Sequence, residues 1–269
     1  MKELLGLRGL SAGYGSRTVV RNVSFSIQEG EFCVLLGLNG SGKTTLLKAI
    51  CGLLRAREGS CIVQGVDCTS FHEHRRARHL AYIPQRHGVM DGLTALDVVL
   101  MGLNPHLRLL ENPSREQRGC CRESLMKMGL GDSVYRDFGE LSGGQQQLVI
   151  LARTLVQNTP VMLMDEPDSA LDFLNKHVML KNIRALIHAE GKAGLVTLHD
   201  PNFALTYCDR LFLLKDGSLI ADIRTGDSSI HELEEALSAI YGGVMVMKRD
   251  GQYMVGLRDG QDYDKSNML

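Results

Sequence analysis

One stretch limits this chain more than any other: FCVLLGLNGSGKTTLL, residues 32–47. An unbroken apolar run that stops at a glycine predicts a strand buried on both faces, as in a parallel sheet. Gly37 to Thr44 then reads G-x-x-x-x-G-K-T, and Leu46, Leu47 and Ile50 fall on one side of a helix predicted over 43–51. Strand, glycine loop and helix in that order are the setting in which this spacing cradles a phosphate chain. The glycines let successive N–H groups turn toward one anion, and the helix N-terminus adds partial positive charge. Gly37, Leu38, Asn39, Gly40, Ser41, Gly42, Lys43, Thr44 and Thr45 are therefore candidate triphosphate-binding residues. Lys43 is placed to reach the β- and γ-phosphates, and the Thr44 hydroxyl to ligate Mg²⁺. The motif specifies a nucleoside triphosphate, not the machine that uses it.

The remainder of a hydrolytic site is carried by VMLMDEP, residues 161–167. Its apolar run predicts a central strand with Asp165 at the carboxyl end, where open α/β sheets bind ligands. Asp165 is a candidate Mg²⁺ holder through the ion's water shell, and Glu166 a candidate general base for the attacking water. Alone, an Asp-Glu pair after such a run equally suits a strand end facing solvent; the phosphate loop decides for chemistry. LSGGQ, Leu141, Ser142, Gly143, Gly144 and Gln145, again offers a hydroxyl and bare N–H groups at a helix start. By itself it also suits a helix cap. One nucleotide does not need two such loops in one chain, so LSGGQ is expected to meet the nucleotide of a second copy.

Strands are expected over 18–27, 60–68, 79–83, 161–165 and 194–199, and helices over 145–157 and about 173–190. From about Thr94 to Leu141 the spacing turns helical, interrupted at Asn104-Pro105 and Asn112-Pro113, which predicts a helical insertion. Asp216-Gly217 between two apolar runs predicts a hairpin, and VMVMKRDGQYMVGL repeats the pattern before a polar tail, DGQDYDKSNML. With 269 residues there is room for one large domain or a core with a subdomain. The 30 Lys+Arg nearly cancel the 31 Asp+Glu, so no nucleic-acid partner is expected. The basic group Arg75, Arg76, Arg78 and His79 reads as a solvated helix face. No apolar run reaches the ~18–20 residues that cross a bilayer, and Arg8 interrupts the apolar N-terminus, so no signal peptide is predicted. The expectation is a soluble chain. Seven scattered cysteines with no C-x-x-C predict neither disulfides nor structural zinc; Cys120-Cys121 reads as a partly exposed pair.

Taken in order, GLNGSGKTT, LSGGQ, VMLMDEP, SALD and TLHD resemble the ATP-binding subunit of an ABC transporter over roughly residues 3–245. The resemblance implies a P-loop NTPase (RecA-like) α/β core with an N-terminal antiparallel β subdomain and an inserted α-helical subdomain at about 86–146. The ATP-binding domain would span 1–240, and 241–269 a short hairpin and polar tail. It implies a head-to-tail homodimer that sandwiches ATP and Mg²⁺ between the phosphate loop and LSGGQ. Tyr14, otherwise an ordinary turn tyrosine, resembles the aromatic that stacks on adenine. Gln85 in YIPQ, otherwise a surface residue after a proline turn, resembles the glutamine that senses Mg²⁺ and water. Asp172 in SALD resembles the aspartate that communicates across the dimer, and His199 the histidine that contacts the γ-phosphate. Two positions depart from the pattern: Leu38 stands where proline is frequent, and Asp168 where threonine is common, adding a carboxylate near Glu166.

MGLNPHLRLL, QQQLVILARTLVQ, LDFLNK and HDPNFALTYCDR further resemble the iron-chelate (siderophore), haem and cobalamin import branch. Molybdate-type importers and soluble ABC ATPases of iron–sulfur cluster assembly are the neighbouring alternatives. About 100 residues between Lys43 and Ser142 are too few for the long coiled-coil arms of chromosome-maintenance ATPases. The branch implies an integral membrane permease, an extracytoplasmic substrate-binding protein, and a peripheral position on the cytoplasmic face of the inner membrane.

Overall fold

The computed structural model describes residues 2–85, 88, 92–108 and 110–258. Residues 86, 87 and 89–91, at the expected start of the helical insertion, and the polar tail 259–269 lie outside the described residues. Among the described residues three sheets carry the strands. β1 (Glu3–Tyr14), β2 (Arg17–Gln28), β4 (Ala56–Val63) and β5 (Val66–Asp67) form an antiparallel sheet in the order β2-β1-β4-β5. β3 (Phe32–Leu36), β6 (Leu80–Ile83), β7 (Val161–Asp165), β8 (Ala193–Thr197), β9 (Arg210–Lys215) and β10 (Ser218–Arg224) form the second, ordered β10-β9-β3-β8-β7-β6. Only β10 is antiparallel to its neighbour. β11 (Val244–Arg249) and β12 (Gln252–Leu257) pair as a separate hairpin.

The apolar runs are continuous because the six-stranded sheet is covered on both faces. On β3, Phe32, Val34 and Leu36 enter one core cluster while Cys33 and Leu35 enter the other. β7 divides the same way, Met162 and Met164 against Val161 and Leu163. One cluster lies toward α1 (Lys43–Cys51) and the antiparallel sheet. The other lies toward the helices α3 (Ala95–Leu100), α4 (Arg115–Lys127), α5 (Gly143–Val156) and α6 (Phe173–Glu190). Side-chain caps start all four of these helices: Thr94, Ser114 and Ser142 each form a reciprocal capping box with the residue three positions on, and the Asp172 carboxylate caps α6. The Ser142 cap starts α5 two residues before the expected 145.

Several expectations are corrected. β1 was not anticipated, because Leu4, Leu5, Leu7 and Leu10 are all buried and register shifts along β1 remove the alternation that marks a strand. The strand expected over 60–68 is two, divided by a turn at Gln64 and Gly65, both at positive φ. The basic group is not one solvated face. α2 is short (Glu73–Arg76), and Arg76 is buried and donates to the carbonyls of Thr69 (2.8 Å) and Phe71 (3.3 Å). Cys120 is exposed but Cys121 is buried. Two helices not expected above, α7 (Pro201–Tyr207) and α8 (Ile230–Tyr241), follow β8 and β10; each has a start signal, Asp200 before Pro201 and the Ser229–Glu232 capping box. No helix of the described residues is long and apolar enough to cross a membrane.

The Asp216-Gly217 turn forms as expected, with φ of 50° and 80°, the two left-handed residues of a type I′ hairpin. It also reaches the phosphate loop: the Gly217 N–H donates to the Ser41 carbonyl (3.1 Å), and the Gly217 carbonyl accepts from the Arg21 N–H (2.8 Å). A Cβ at Gly217 would run into the Val19 carbonyl oxygen. Gly217→Ala is expected to cost ~1–3 kcal/mol of stability through backbone strain, read from the denaturation midpoint, and to weaken ATP binding by displacing Ser41.

Candidate active site

The loop from Gly37 to Gly42 links β3 to α1 and turns through positive φ at Gly40 (80°) and Gly42 (105°). Lys43 folds back into it. Its Nζ donates to the carbonyls of Gly37 (2.7 Å) and Leu38 (3.3 Å), and the residue is 6% exposed. Burial lowers the ammonium's pKa; Glu166 and Asp165 oppose that and favour the cation. A cleft of about 550 Å³ opens here, with the loop from Asn39 to Thr45 on one side and Gln85, Glu166 and His199 on the other. Arg17 and Val19 also line it.

Asp165 ends β7 beside the loop, held by three hydroxyls. Its Oδ1 accepts from Thr197 (2.9 Å) and Thr44 (3.2 Å), and its Oδ2 from Tyr82 (3.3 Å). Burial, then the Asp165 charge, drive the Tyr82 pKa upward, so its phenol stays a donor. Glu166 follows at φ 48°, a left-handed conformation that costs a non-glycine residue ~1–3 kcal/mol. Its N–H is anchored on Thr197 Oγ1 at 2.8 Å, and its carbonyl accepts from Ser169 at 3.1 Å. Each oxygen of its carboxylate has a partner: Oε2 takes the Gln85 amide, and Oε1 lies 2.7 Å from His199 Nε2. Thr197 therefore fixes both acidic residues at once. Thr197→Val is expected to lower unfolding free energy by ~1–3 kcal/mol, the penalty for stranding buried polar groups, measurable by urea titration.

The structure brings the loop residues Asn39 to Thr45 together with Gln85, Glu166 and His199 in one cleft, with Asp165 buried behind Thr44, and leaves Gly37, Leu38, Tyr14, Leu141 to Gln145 and Asp172 outside its lining. Tyr14 is half exposed at the β1–β2 turn. Ser142 caps α5 together with Gln145, Leu141 is buried, and Gly143 and Gly144 pack beside Ala170 and Leu171. Asp172 caps α6, accepting from Asn175 N (2.9 Å) and Nδ2 (2.8 Å). The departure at Asp168 has a local partner: Lys176 Nζ lies 3.2 Å from its carboxylate. Sequence reasoning missed Tyr82 and Thr197. The legible signal was a single hydroxyl residue within each of two otherwise apolar parallel strands.

Residues 20–169, more than half of the chain, match the family described as ABC transporter. A Helicobacter pylori protein named "Probable iron chelatin transport ATP-binding protein" is 34% identical over 239 residues, covering 88% of this chain and 92% of its own. The hemin import ATP-binding protein of Shewanella denitrificans is 32% identical, covering 81% and 86%. A nucleotide-free ATP-binding cassette from an ABC transporter has a similar structure, with a TM-score of 0.78, 27% identity, and coverage of 88% of this chain and 95% of that one. With the phosphate loop, the acidic pair and these relatives in agreement, the chain belongs to the ABC transporter family as an ATP-binding, ATP-hydrolysing subunit.

Proposed function

We propose that this subunit energises an importer of the iron-chelate type, with a siderophore–iron, haem or cobalamin cargo. The iron chelatin and hemin names of its relatives support that substrate class. The observation that carries the catalytic half of the reading is the carboxylate of Glu166, gripped by Gln85 and His199 beside the phosphate loop. In this reading the loop N–H groups and Lys43 bind the triphosphate, and Glu166 takes the proton of the attacking water. His199 keeps Glu166 oriented and faces the γ-phosphate, and Gln85 ties the site to the chain that leads into the helical segment. Thr44 Oγ1, the Asp165 carboxylate and the Gln85 amide oxygen are hard oxygen donors, a set that suits Mg²⁺. Bound with ATP, the ion supplies charge neutralisation at the β- and γ-phosphates.

The signature residues Leu141 to Gln145 line no part of the cleft in their own chain, which favours a head-to-tail pair in which each copy completes the other's site. Tyr14 would stack on adenine, and Asp172 would sense the partner. The ATP-binding unit would span 1–240, with the helical subdomain about 86–146 docked on a membrane permease at the cytoplasmic face. A substrate-binding protein would deliver cargo from the other side. Affinity purification of the tagged chain from gently solubilised membranes tests this. Co-purification of a multi-span permease is the expected result. Recovery of soluble partners alone would replace it with a non-transport ATPase.

A further inference from the structure

We propose that the C-terminal hairpin β11–β12 positions His199 through the side chain of Asn202; this rests on the role assigned above to His199. The histidine sits between the end of β8 and the start of α7, with its side chain 51% exposed. The segment that carries it is held from below. Asp200 caps α7, its Oδ1 accepting the Asn202 N–H (2.8 Å) and the Asn202 side-chain amide (2.9 Å). The other end of that amide, Oδ1, accepts the Val255 N–H of β12 at 2.7 Å. Only one orientation of the amide satisfies both neighbours, a carboxylate on one side and an N–H on the other.

The strand that supplies the bond is itself fixed. Val246 and Val255 face each other, and both N–H groups point out of the ladder, Val246 to Glu234 Oε1 of α8 (2.8 Å) and Val255 to Asn202. Glu234 also pairs with Arg258 (2.9 Å), and Val244 and Val246 are buried against the main core. Tyr241, at the end of α8, lies near Asp200; burial first and that carboxylate second push its pKa up to about 12. α7 has only seven residues, too few to hold its own first turn without tertiary support. The hairpin and α8 therefore form the seat on which the Asp200–Asn202 turn rests, a turn that begins at the residue directly after the histidine whose ring meets Glu166. Asn202 is a positioning residue and does not touch the reacting atoms.

Val255→Pro removes the N–H that makes this contact, which lies outside the ladder, leaves the hairpin pairing intact and keeps an apolar ring against the core where Val255 packs. In the full-length chain, Val255→Pro and Asn202→Ala are each expected to lower kcat about tenfold, as a sub-ångström misplacement does. KM for ATP should stay within about twofold, since ground-state binding is untouched. Combining the two should be no worse than the more severe single variant. Without nucleotide, amide hydrogen exchange over residues 198–204 should accelerate in both. Asn202→Asp, which sets two carboxylates face to face, should behave alike, and Asp200→Asn added to it should restore turnover by reversing donor and acceptor. Wild-type kcat and exchange in Val255→Pro and Asn202→Ala, with turnover lost in His199→Ala, would overturn the role of the hairpin alone. Wild-type turnover in His199→Ala would instead remove the role of His199 itself. KM rising by the same factor as kcat falls would also overturn the proposal, since it means a general collapse of the cleft.

Discussion

Glu166→Gln is expected to bind ATP as the unmodified chain does and to lose about 10²- to 10⁴-fold in turnover, the contribution of a positioned general base. The substitution is nearly isosteric. Gln85 and His199 keep a polar group between them, and the left-handed backbone at Glu166, anchored on Thr197, is unaffected. What is lost is the ability to accept a proton from water. Single-turnover hydrolysis of labelled ATP, with binding measured in parallel on the same preparation, separates the two. Unchanged hydrolysis would remove Glu166 from its role.

Lys43→Ala should produce the opposite signature. The ammonium is buried within the loop, and nearby carboxylates favour its charge. A hydrogen bond from such a cation is worth ~1.5–3 kcal/mol, about a 10- to 150-fold loss of ATP affinity when it is removed. The fold should survive, because Lys43 bonds only to loop carbonyls, those of Gly37 and Leu38, which turn readily to solvent. Equilibrium dialysis with labelled ATP checks this, and normal affinity would contradict the phosphate-loop assignment.

Much of this site was legible because its chemistry demands fixed residue types at fixed spacing. The turn at Gly40 and Gly42 requires left-handed backbone, and Lys43, Thr44, Asp165 and Glu166 each follow an apolar run whose length sets where they emerge. The fold was legible where burial leaves a pattern, as in β3 and β7, and illegible where bulges erase it, as in β1. Tyr82 and Thr197 escaped notice because their role is to hold another side chain, which appears only when β6, β7 and β8 lie side by side. Asp168 shows the converse. As a sequence it looked like an extra charge beside Glu166; in the structure Lys176, in the first turn of α6, takes that charge. The bond from Val255 to Asn202 spans 53 positions, and no local pattern announces it.

That two copies complete each other's sites can be tested directly by one mixing experiment. Lys43→Ala disables the phosphate loop. Gly143→Asp puts a negative charge at the first turn of α5, where the partner's triphosphate is expected, and the helix tolerates an acid there; its Cβ would meet Ala170 at an ordinary 3.6 Å. Each variant alone should be inactive in ATP hydrolysis. Mixed in equal amounts, half of the pairs carry one intact composite site of two, so about a quarter of normal activity is predicted for a symmetric dimer. No recovery on mixing, with both variants folded and able to dimerise, would contradict the account.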